Sequence, residues 1–374
     1  MAVKNTFTTE YIIENATRIF HENRWAFGIV VCPYCGSIHI KEYDGYRYKC
    51  NSCKARFSDR TKTLMHGSST PISKWMQMVY EMTVDNKISS INLAIKIGVN
   101  QKTAWLMQAK IRYALDAEGI ELSGEIAQDE MYVGGCLTNY HYGRKLRLLR
   151  DRNLMGKDDK RYTKSAIYTL NKRLKTPVFG MNDGKHIVLY AVPNPVKKSY
   201  LHTIYKKHVV GDSVCISDES LLYEDWEQVT GSKIYTNNHH NNQYKTANGL
   251  TSNRIENTFS WFKRGFTGRI THCKKQYMQL YLNEFCFKYN TRELSHEDRF
   301  KEAIKKMCGK QITYDELRKY NSLSMFKVIK RNPKHCYTFS DIKEMFESSS
   351  SLVESISIGK TTYYRKDFIV NEPF

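Results

Sequence analysis

Four of the ten cysteines lie within 22 residues, and they constrain the fold of the N-terminal region more than any other feature. They form two Cys-x-x-Cys pairs separated by fourteen residues: Cys32, Cys35, Cys50 and Cys53. Two tight Cys-x-x-Cys turns held together by a hairpin supply four soft ligands at the corners of a tetrahedron, which is what structural Zn²⁺ requires. The pattern therefore predicts a zinc ribbon.

The gap between the two pairs predicts how this ribbon is built. Asp44-Gly45 supplies a turn, and residues 46–50 alternate as a strand does. Two disulfides, or a redox motif, are the alternatives to zinc. The N-terminus lacks a positively charged start followed by an apolar run, so a secretory signal is not expected and disulfides are disfavoured. We expect the six scattered cysteines to be small buried hydrophobes.

The charge of the chain favours a polyanionic partner, most simply nucleic acid. Its 374 residues include 58 Lys and Arg against 38 Asp and Glu, a formal net charge of +20. Residues 144–175 hold twelve of the basic residues and three acids, and form either a solvated surface or a track for a phosphate backbone. Lys263 and Arg264 add further positive charge. We expect this charge to bind DNA in a salt-sensitive and largely sequence-independent way.

Length and composition set further limits. The length predicts roughly two to three domains. Hydrophobic residues make up 41% of the chain, enough for a sizeable core, which excludes an intrinsically disordered protein. The apolar stretches fall far below the ~20 residues of a membrane-spanning helix, so we expect no membrane partner. We expect the protein in the cytoplasm or nucleoid of a bacterium, or in the nucleus of a eukaryote, and not secreted.

Two helices joined by a tight turn are predicted between residues 89 and 106. Apolar residues at helical spacing precede Gly98, which suits a turn, and Asn100 suits the N-cap of a second helix. The pattern fits a helix-turn-helix whose second helix enters the major groove of DNA; an ordinary helical hairpin is the alternative. The residues at the front of the second helix are Gln101, Lys102 and Thr103.

Three acidic side chains are the candidates for catalysis. Asp129 lies in a predicted strand that ends in a Gly-Gly turn, and Asp218 lies just past another short apolar strand. Glu256 lies on a predicted helix that Gly265 is expected to end. Lys263 is seven residues, or two turns, beyond Glu256 and therefore shares its face of the helix.

Two strand-end carboxylates and one helix carboxylate are suited to two Mg²⁺ or Mn²⁺ ions, because these ions prefer hard oxygen ligands. In a site with ions ~3.5–4 Å apart, one ion activates the attacking oxygen and the other stabilises the leaving oxygen. Each acid also has a structural interpretation: a strand-end Asp often caps a turn, and Glu256, three residues after Asn253, fits a helix N-cap. Taken one at a time, these acids are therefore more simply structural. A catalytic role is favoured only when the three acids are considered together with the ribbon, the helix pair and the basic charge.

The order of these features resembles DDE transposases of insertion sequences, most of all the ISXO-like group and its Merlin relatives. The resemblance covers roughly residues 10–291 and is carried by Arg24-Trp25, Cys32-Pro33-Tyr34-Cys35-Gly36, Pro71 with Trp75, Gly98-Val99, Lys102-Thr103-Ala104-Trp105, Asp129-Glu130-x-Tyr132-Val133-Gly134-Gly135, Asn253-Arg254-Ile255-Glu256-Asn257, Ser260-Trp261-Phe262-Lys263-Arg264 and Tyr281-Leu282-Asn283-Glu284-Phe285. It implies a multidomain chain with an α/β RNase H-like catalytic domain, a mixed sheet flanked by helices. It also implies metal-binding acids at Asp129, Asp218 and Glu256, followed by Lys263.

Departures from the family pattern leave two of the metal ligands open. The family usually has Thr-Asp-Gly at the second acid, where this chain has Ser-Asp-Glu, so Glu219 is an alternative to Asp218. The third position varies among relatives, so Asn257 is an alternative to Glu256.

The resemblance implies a transposase that binds the terminal inverted repeats of a mobile element, cleaves the ends and joins the 3′ ends to target DNA. Its partners would be double-stranded DNA, at element ends and target, and further copies of itself as a homodimer or higher oligomer. An RNase H-like nuclease without strand transfer and a non-catalytic DNA-binding regulator are the alternatives. The expected divisions are an N-terminal helix and zinc ribbon (1–66), a helix-turn-helix segment (67–118), the catalytic domain (119–292) and a C-terminal region of unknown role (293–374).

Overall fold

The computed structural model describes residues 7–25, 28–84, 89–134, 140–218, 220–237, 252–267 and 273–323, and three short strands beyond residue 328. The helices of these residues are α1 (Thr9–Glu14), α2 (Ala16–Arg24), α3 (Ile72–Val84), α4 (Ser90–Ile97), α5 (Gln101–Ala114), α6 (Tyr142–Asp151), α7 (Lys164–Leu174), α8 (Lys198–His208), α9 (Trp226–Thr230), α10 (Asn253–Thr267), α11 (Met278–Asn290), α12 (His296–Met307) and α13 (Tyr314–Arg318). The strands are β1 (Ile40–Tyr43), β2 (Arg47–Cys50), β3 (Arg56–Ser58), β4 (Glu125–Val133), β5 (Thr176–Asn182), β6 (Ile187–Ala191), β7 (Val214–Asp218), β8 (Ile234–Asn237), β9 (Ile329–Arg331), β10 (Ser355–Ile358) and β11 (Thr361–Tyr364).

The chain divides into two units, and both are discontinuous in sequence. The first unit comprises residues 1–118, 264–272 and 283–320. The second unit comprises residues 119–263, 273–282 and 321–374. Neither α10 nor α11 lies within a single unit, so no local sequence pattern marks these divisions.

The first unit contains a small antiparallel sheet of β1, β2 and β3. The turn between β1 and β2 contains Asp44 and Gly45, as predicted, and Gly45 has a φ of +72°, which suits a residue without a side chain. On one face of the sheet, Trp25 packs with Tyr48 and Phe57 and with two of the four clustered cysteines. This small core is the apolar support of the cysteine cluster.

The helix pair of the first unit has the predicted turn and the predicted start of its second helix, which continues beyond the predicted segment to Ala114. Gly98 ends α4 in the left-handed conformation, with a φ of +70°. The side chain of Asn100 accepts a hydrogen bond of 2.7 Å from the backbone N–H of Thr103 and so caps α5. Lys74 of α3 donates to the carbonyl oxygen of Gly98 at 2.6 Å and holds the turn against α3.

A nearly buried ionic triad links α5 and α11 in the first unit. Glu284 accepts from Arg112 and from Lys288, each at 2.6 Å, and the three side chains are between 9% and 14% exposed. Burial alone would raise the pKa of the Glu284 carboxyl, but the positive charges of Lys288 and Arg112 outweigh it and lower this pKa to about 2. Glu284, part of a motif of the family resemblance, is therefore a structural carboxylate.

The second unit is built on a five-stranded mixed sheet in the order β6-β5-β4-β7-β8. The first three strands pair antiparallel, whereas β4, β7 and β8 run parallel to one another. Every residue of β5 and β6 is buried, so these strands lie within the core. The mixed sheet flanked by helices agrees with the predicted α/β architecture.

Two local predictions are wrong. Gly265 does not end α10, which continues to Thr267, because a glycine within a helix costs only about 1 kcal/mol and stops the helix only where it adopts a positive φ. Asp129 lies in the middle of β4 and not at a strand end, because antiparallel pairing with β5 extends to Val133. Among the described residues, none of the helices has the length and apolar character needed to span a bilayer.

The triad yields a prediction about acid stability. The folded pKa of Glu284, about 2, lies below its ordinary value of 4.5, so its contribution is present above pH 4.5 and is lost as the pH falls toward 2. Glu284→Gln leaves two buried cations without this carboxylate and should lower the free energy of unfolding at pH 7 by about 3 kcal/mol. Urea unfolding between pH 2 and 7 checks this.

The matched control is Glu293→Gln, because Glu293 is 78% exposed and its ion pair with Arg292 lies in solvent. We expect a change below ~0.5 kcal/mol for this variant. Equal stability losses in the two variants would contradict the account of the triad.

Candidate functional site

Two of the three predicted acids meet at one hydroxyl group in the second unit. Ser252, which precedes α10 and is buried, donates toward Asp218 Oδ1 at 3.3 Å and Glu256 Oε1 at 3.0 Å. Asp218 is the last residue of β7, and Glu256 lies in the first turn of α10. A carboxylate at the end of a parallel strand and a carboxylate on a helix therefore lie on either side of Ser252.

The third predicted acid belongs to the same electrostatic cluster. The backbone N–H of Glu130 donates to Asp129 Oδ1 at 2.7 Å. Burial, together with the negative charges of Glu130, Asp218 and Glu256, raises the pKa of Asp129 to about 7. The charges of Asp218 and Glu256 therefore act on Asp129, but among the described residues only the four clustered cysteines form a group of metal-ligating atoms that all lie within 4.8 Å of one another.

Close packing of α10 against the sheet brings Glu256 to this cluster. Gly180 of β5 pairs with Asp129 of β4, and a Cβ atom built on Gly180 would lie 2.6 Å from Phe259 and 2.9 Å from Ile255. Both side chains are on the buried side of α10. Only a glycine at this sheet position leaves room for the helix.

The sequence did not reveal a second layer of contacts at the acids. Tyr223, in a short 3₁₀ turn after β7, donates its hydroxyl to Glu130. Its complete burial and the charge of Glu130 raise its pKa well above 10. Ser252 was also missed. The sequence offered only two signals for these contacts. Tyr223 is an aromatic residue five positions after the strand-end Asp218, and Ser252 directly precedes the helix that carries Glu256.

The remaining predicted residues of α10 lie along its solvent side. Lys263 and Arg264 are both exposed. Glu219, the alternative to Asp218, lies outside the described residues. Asn257, the alternative to Glu256, is exposed on α10 as Glu256 is, and the oxygen that Ser252 contacts belongs to Glu256.

The four clustered cysteines form a group that could hold a metal ion, with all four sulfur atoms within 4.8 Å of one another. Cys32 and Cys53 have their Sγ atoms 3.6 Å apart, and so do Cys35 and Cys50. Bonds of ~2.3 Å to a tetrahedral Zn²⁺ would place sulfur atoms ~3.8 Å apart, so the observed spacing fits this ion. The backbone N–H of Cys53 lowers the pKa of Cys50, whereas hydrogen bonding among the thiols raises the pKa of Cys35, so one thiol of this close pair gives up its proton more readily than the other.

The predicted DNA-reading residues lie at the start of α5 in the first unit. Gln101 and Lys102 are exposed, and Thr103 is half-buried. The side-chain amide of Gln101 donates to Ser90 Oγ at 3.0 Å, so one of its groups is engaged within the helix pair.

The basic segment in the second unit is a helical insertion between β4 and β5. Helices α6 and α7 pack through the buried Leu149 and Leu170. The loop between the helices is fixed by Arg150, which donates to the carbonyl oxygen of Asp159 at 2.8 Å. Sequence patterns predicted its charge and not its helices, because so many basic residues obscure the apolar periodicity.

Comparison with known sequences finds a family match in the central part of the chain. Residues 121–290, which include β4, β7 and all of α11, match the model of the ISXO2-like transposase domain. The match agrees with the resemblance to insertion-sequence transposases that the sequence motifs predicted.

A curated relative agrees with this assignment. The chain is 33% identical over 132 residues to the "Uncharacterized protein in transposable element ISH50" of Halobacterium salinarum. The match covers 34% of this chain and 43% of the relative, so it spans less than half the length of that protein. No solved structure matches the chain.

The role of Gly180 can be tested by adding one methyl group. Gly180→Ala should lower the free energy of unfolding by about 1–3 kcal/mol, because its Cβ would overlap Phe259 and Ile255. Gly265→Ala is the control, because nothing lies within 4 Å of its Cβ position and alanine favours a helix. Thermal and urea unfolding of both variants check this. A neutral Gly180→Ala would contradict the close approach of α10 to the sheet.

Proposed function

We propose that the second unit is a DDE-type, RNase H-like catalytic domain that cleaves element ends and joins their 3′ ends to target DNA. The observation that carries this proposal is the convergence of Asp218 and Glu256 on Ser252, with Asp129 in the same electrostatic cluster. The match of residues 121–290 to a transposase family supports the same reading. Both observations favour a catalytic protein over a DNA-binding regulator.

In this proposal Asp129, Asp218 and Glu256 hold two Mg²⁺ or Mn²⁺ ions. When bound, such ions activate the attacking oxygen and neutralise charge at the scissile phosphate. Ser252 orients Asp218 and Glu256, and the amide of Glu130 orients Asp129. Lys263, two turns along α10 from Glu256, binds a neighbouring phosphate.

The reaction consists of two in-line displacements at phosphorus. Water attacks the phosphodiester at the element end, the bond to the 3′ oxygen breaks, and a 3′-OH and a 5′-phosphate result. The 3′-OH then attacks a target phosphodiester, forms a new P–O bond and displaces the target's own 3′ oxygen. The number of phosphodiester bonds is conserved in the second step, so the reaction requires no nucleotide triphosphate.

The other charged and folded elements supply DNA contacts in this proposal. The helix pair α4–α5 reads sequence through the front of α5, with Lys102 at its exposed start. The basic insertion and Arg264 contact the phosphate backbone without sequence preference. Since two ends are handled together, the active form is a homodimer or higher oligomer on DNA.

We further propose that the cysteine cluster binds one structural Zn²⁺. Its four sulfur atoms have the spacing of a tetrahedral site, and the adjoining core of Trp25, Tyr48 and Phe57 is small. A core of this size is rarely stable without a metal or disulfides.

The acids can be tested by isosteric neutral substitutions. Asp129→Asn, Asp218→Asn and Glu256→Gln should each reduce Mg²⁺-dependent cleavage of DNA carrying the element's own ends by at least ~100-fold. Glu125→Gln is the control, because Glu125 is 51% exposed and its ion pair is with Arg254, not with one of the three acids. A gel assay of cleavage checks this. Full cleavage by Asp218→Asn would refute the assignment.

A second assay separates transposition from plain hydrolysis. Pre-cut element ends with a free 3′-OH are mixed with a supercoiled plasmid. A transposase should produce joined products that depend on Asp129 and Asp218. Cleavage without joining would support the alternative, an RNase H-like nuclease.

The zinc proposal predicts the metal content of the purified protein. Wild type should contain about one zinc per chain by mass spectrometry, and Cys50→Ser should contain almost none. Cys273→Ser is the control, because Cys273 lies outside the cluster. A full equivalent of zinc in Cys50→Ser would contradict the proposal.

A further inference from the structure

The helix pair α4–α5 brings the first residues of its two helices into contact. Ser90 begins α4 and Gln101 begins α5, and the side-chain amide nitrogen Nε2 of Gln101 donates to Ser90 Oγ at 3.0 Å. The turn at Gly98 makes this contact possible, because it folds α5 back against α4. Gln101 is nevertheless exposed, and Ser90 is half-buried. The contact therefore restrains an amide that remains open to solvent.

Backbone caps fix the two helix starts on which these side chains stand. Ser89 Oγ accepts from the backbone N–H of Asn92 at 3.2 Å and caps α4. Asn100 Oδ1 accepts from the backbone N–H of Thr103 at 2.7 Å and caps α5. Such caps stabilise the first turn of a helix. The amide of Gln101 is therefore held on an ordered part of the chain, as recognition of a single base requires.

The hydrogen bond to Ser90 leaves the Gln101 amide with a defined set of groups. A primary amide has two N–H donors and one carbonyl oxygen. Ser90 takes one N–H, so one donor and the acceptor Oε1 remain. In the major groove adenine presents an acceptor, N7, beside a donor, its 6-amino group, and this pair complements the remaining amide groups. Guanine presents two acceptors, cytosine a donor, and thymine an acceptor with a methyl group, so none of these bases satisfies both.

We propose that Gln101 recognises an adenine in the major groove through two hydrogen bonds, and that Ser90 holds its amide in the orientation this requires. The proposal rests on the proposed function, since it takes the helix pair as the element that selects DNA sequence. Gln101 is then a specificity-determining residue and Ser90 is a positioning residue. The element ends that the protein binds should each contain this adenine.

The test measures the base preference of the full chain in the absence of added Mg²⁺. A pool of duplexes with a random core is selected for binding and sequenced, and the selected duplex is then remade with each of the four base pairs at every position. Wild type should prefer adenine about ten-fold over the other bases at one position or more. Gln101→Ala should lose this preference at one such position and keep the base preferences elsewhere.

A change of one atom makes the test sharper. In Gln101→Glu the side chain accepts hydrogen bonds and no longer donates, so it complements the 4-amino group of cytosine and not adenine. The preferred base at that position should change from adenine to cytosine, even where the added negative charge weakens binding to every duplex. Ser90→Ala should still prefer adenine, but by a factor about three smaller, because the amide is free to rotate.

Two controls separate base recognition from other effects. Lys102→Ala should weaken binding and keep the adenine preference, because an ammonium group has donors alone and does not complement adenine. Gln228→Glu makes the same chemical change at an exposed position of α9 in the second unit, and it should behave as wild type. Circular dichroism should show all variants folded.

Unchanged adenine preference in Gln101→Ala or Gln101→Glu would overturn the proposal, and so would a wild type without any base preference. Unchanged preference in Ser90→Ala would overturn the positioning role of Ser90. Failure of the proposed catalysis has a different signature: wild type would bind the selected duplex but would neither cleave nor join element ends with Mg²⁺. Base preference is measured without Mg²⁺, so the two failures are distinguishable.

Discussion

The proximity of carboxylates beside the inner strands β4 and β7 of the sheet is the constraint on which the second unit depends. Asp129, Asp218 and Glu256 come from two strands and a helix that are far apart in sequence. Burial of Asp129, together with the negative charges of Glu130, Asp218 and Glu256, raises the pKa of Asp129 to about 7. The fold holds them together through parallel pairing of β4 with β7, the missing side chain at Gly180, and the hydroxyl of Ser252. Such an arrangement is costly for stability alone, and a cation bound there, as proposed, would offset the cost.

The net positive charge of the chain has a different role from these acids. In the proposed function, the net charge of +20 attracts DNA over a distance of about a Debye length, and this attraction is the same for every DNA sequence. The helical insertion concentrates part of this charge on a segment with its own small core of Leu149 and Leu170. In the same proposal, choice among DNA sites depends on the front of α5.

Local features could be predicted from the sequence because the interactions that cause them lie within a few residues. The cysteine spacing predicted the cluster, Asp44-Gly45 predicted the hairpin turn, and Gly98 with Asn100 predicted the end of α4 and the start of α5. These elements follow from turn chemistry and helix capping within a few residues.

Features that depend on contacts between residues far apart in the sequence could not be predicted. The buried strand β5 has no alternating pattern, since both of its faces lie in the core. Ser252 and Gly180 have roles only once α10 lies on the sheet. Glu284 looked like part of a functional motif, and its burial with Arg112 and Lys288 shows a structural role instead. The family resemblance named the three acids, and the tertiary structure shows that Asp218 and Glu256 both contact Ser252.

The central claim is that these three carboxylates form a divalent cation site. The most direct measurement is Mn²⁺ binding by electron paramagnetic resonance on zinc-loaded full-length protein, in wild type and in Asp129→Asn, Asp218→Asn and Glu125→Gln. The account predicts saturable Mn²⁺ binding in wild type and Glu125→Gln, and its loss in the first two variants. Equal binding in all four proteins, or none in wild type, would contradict it.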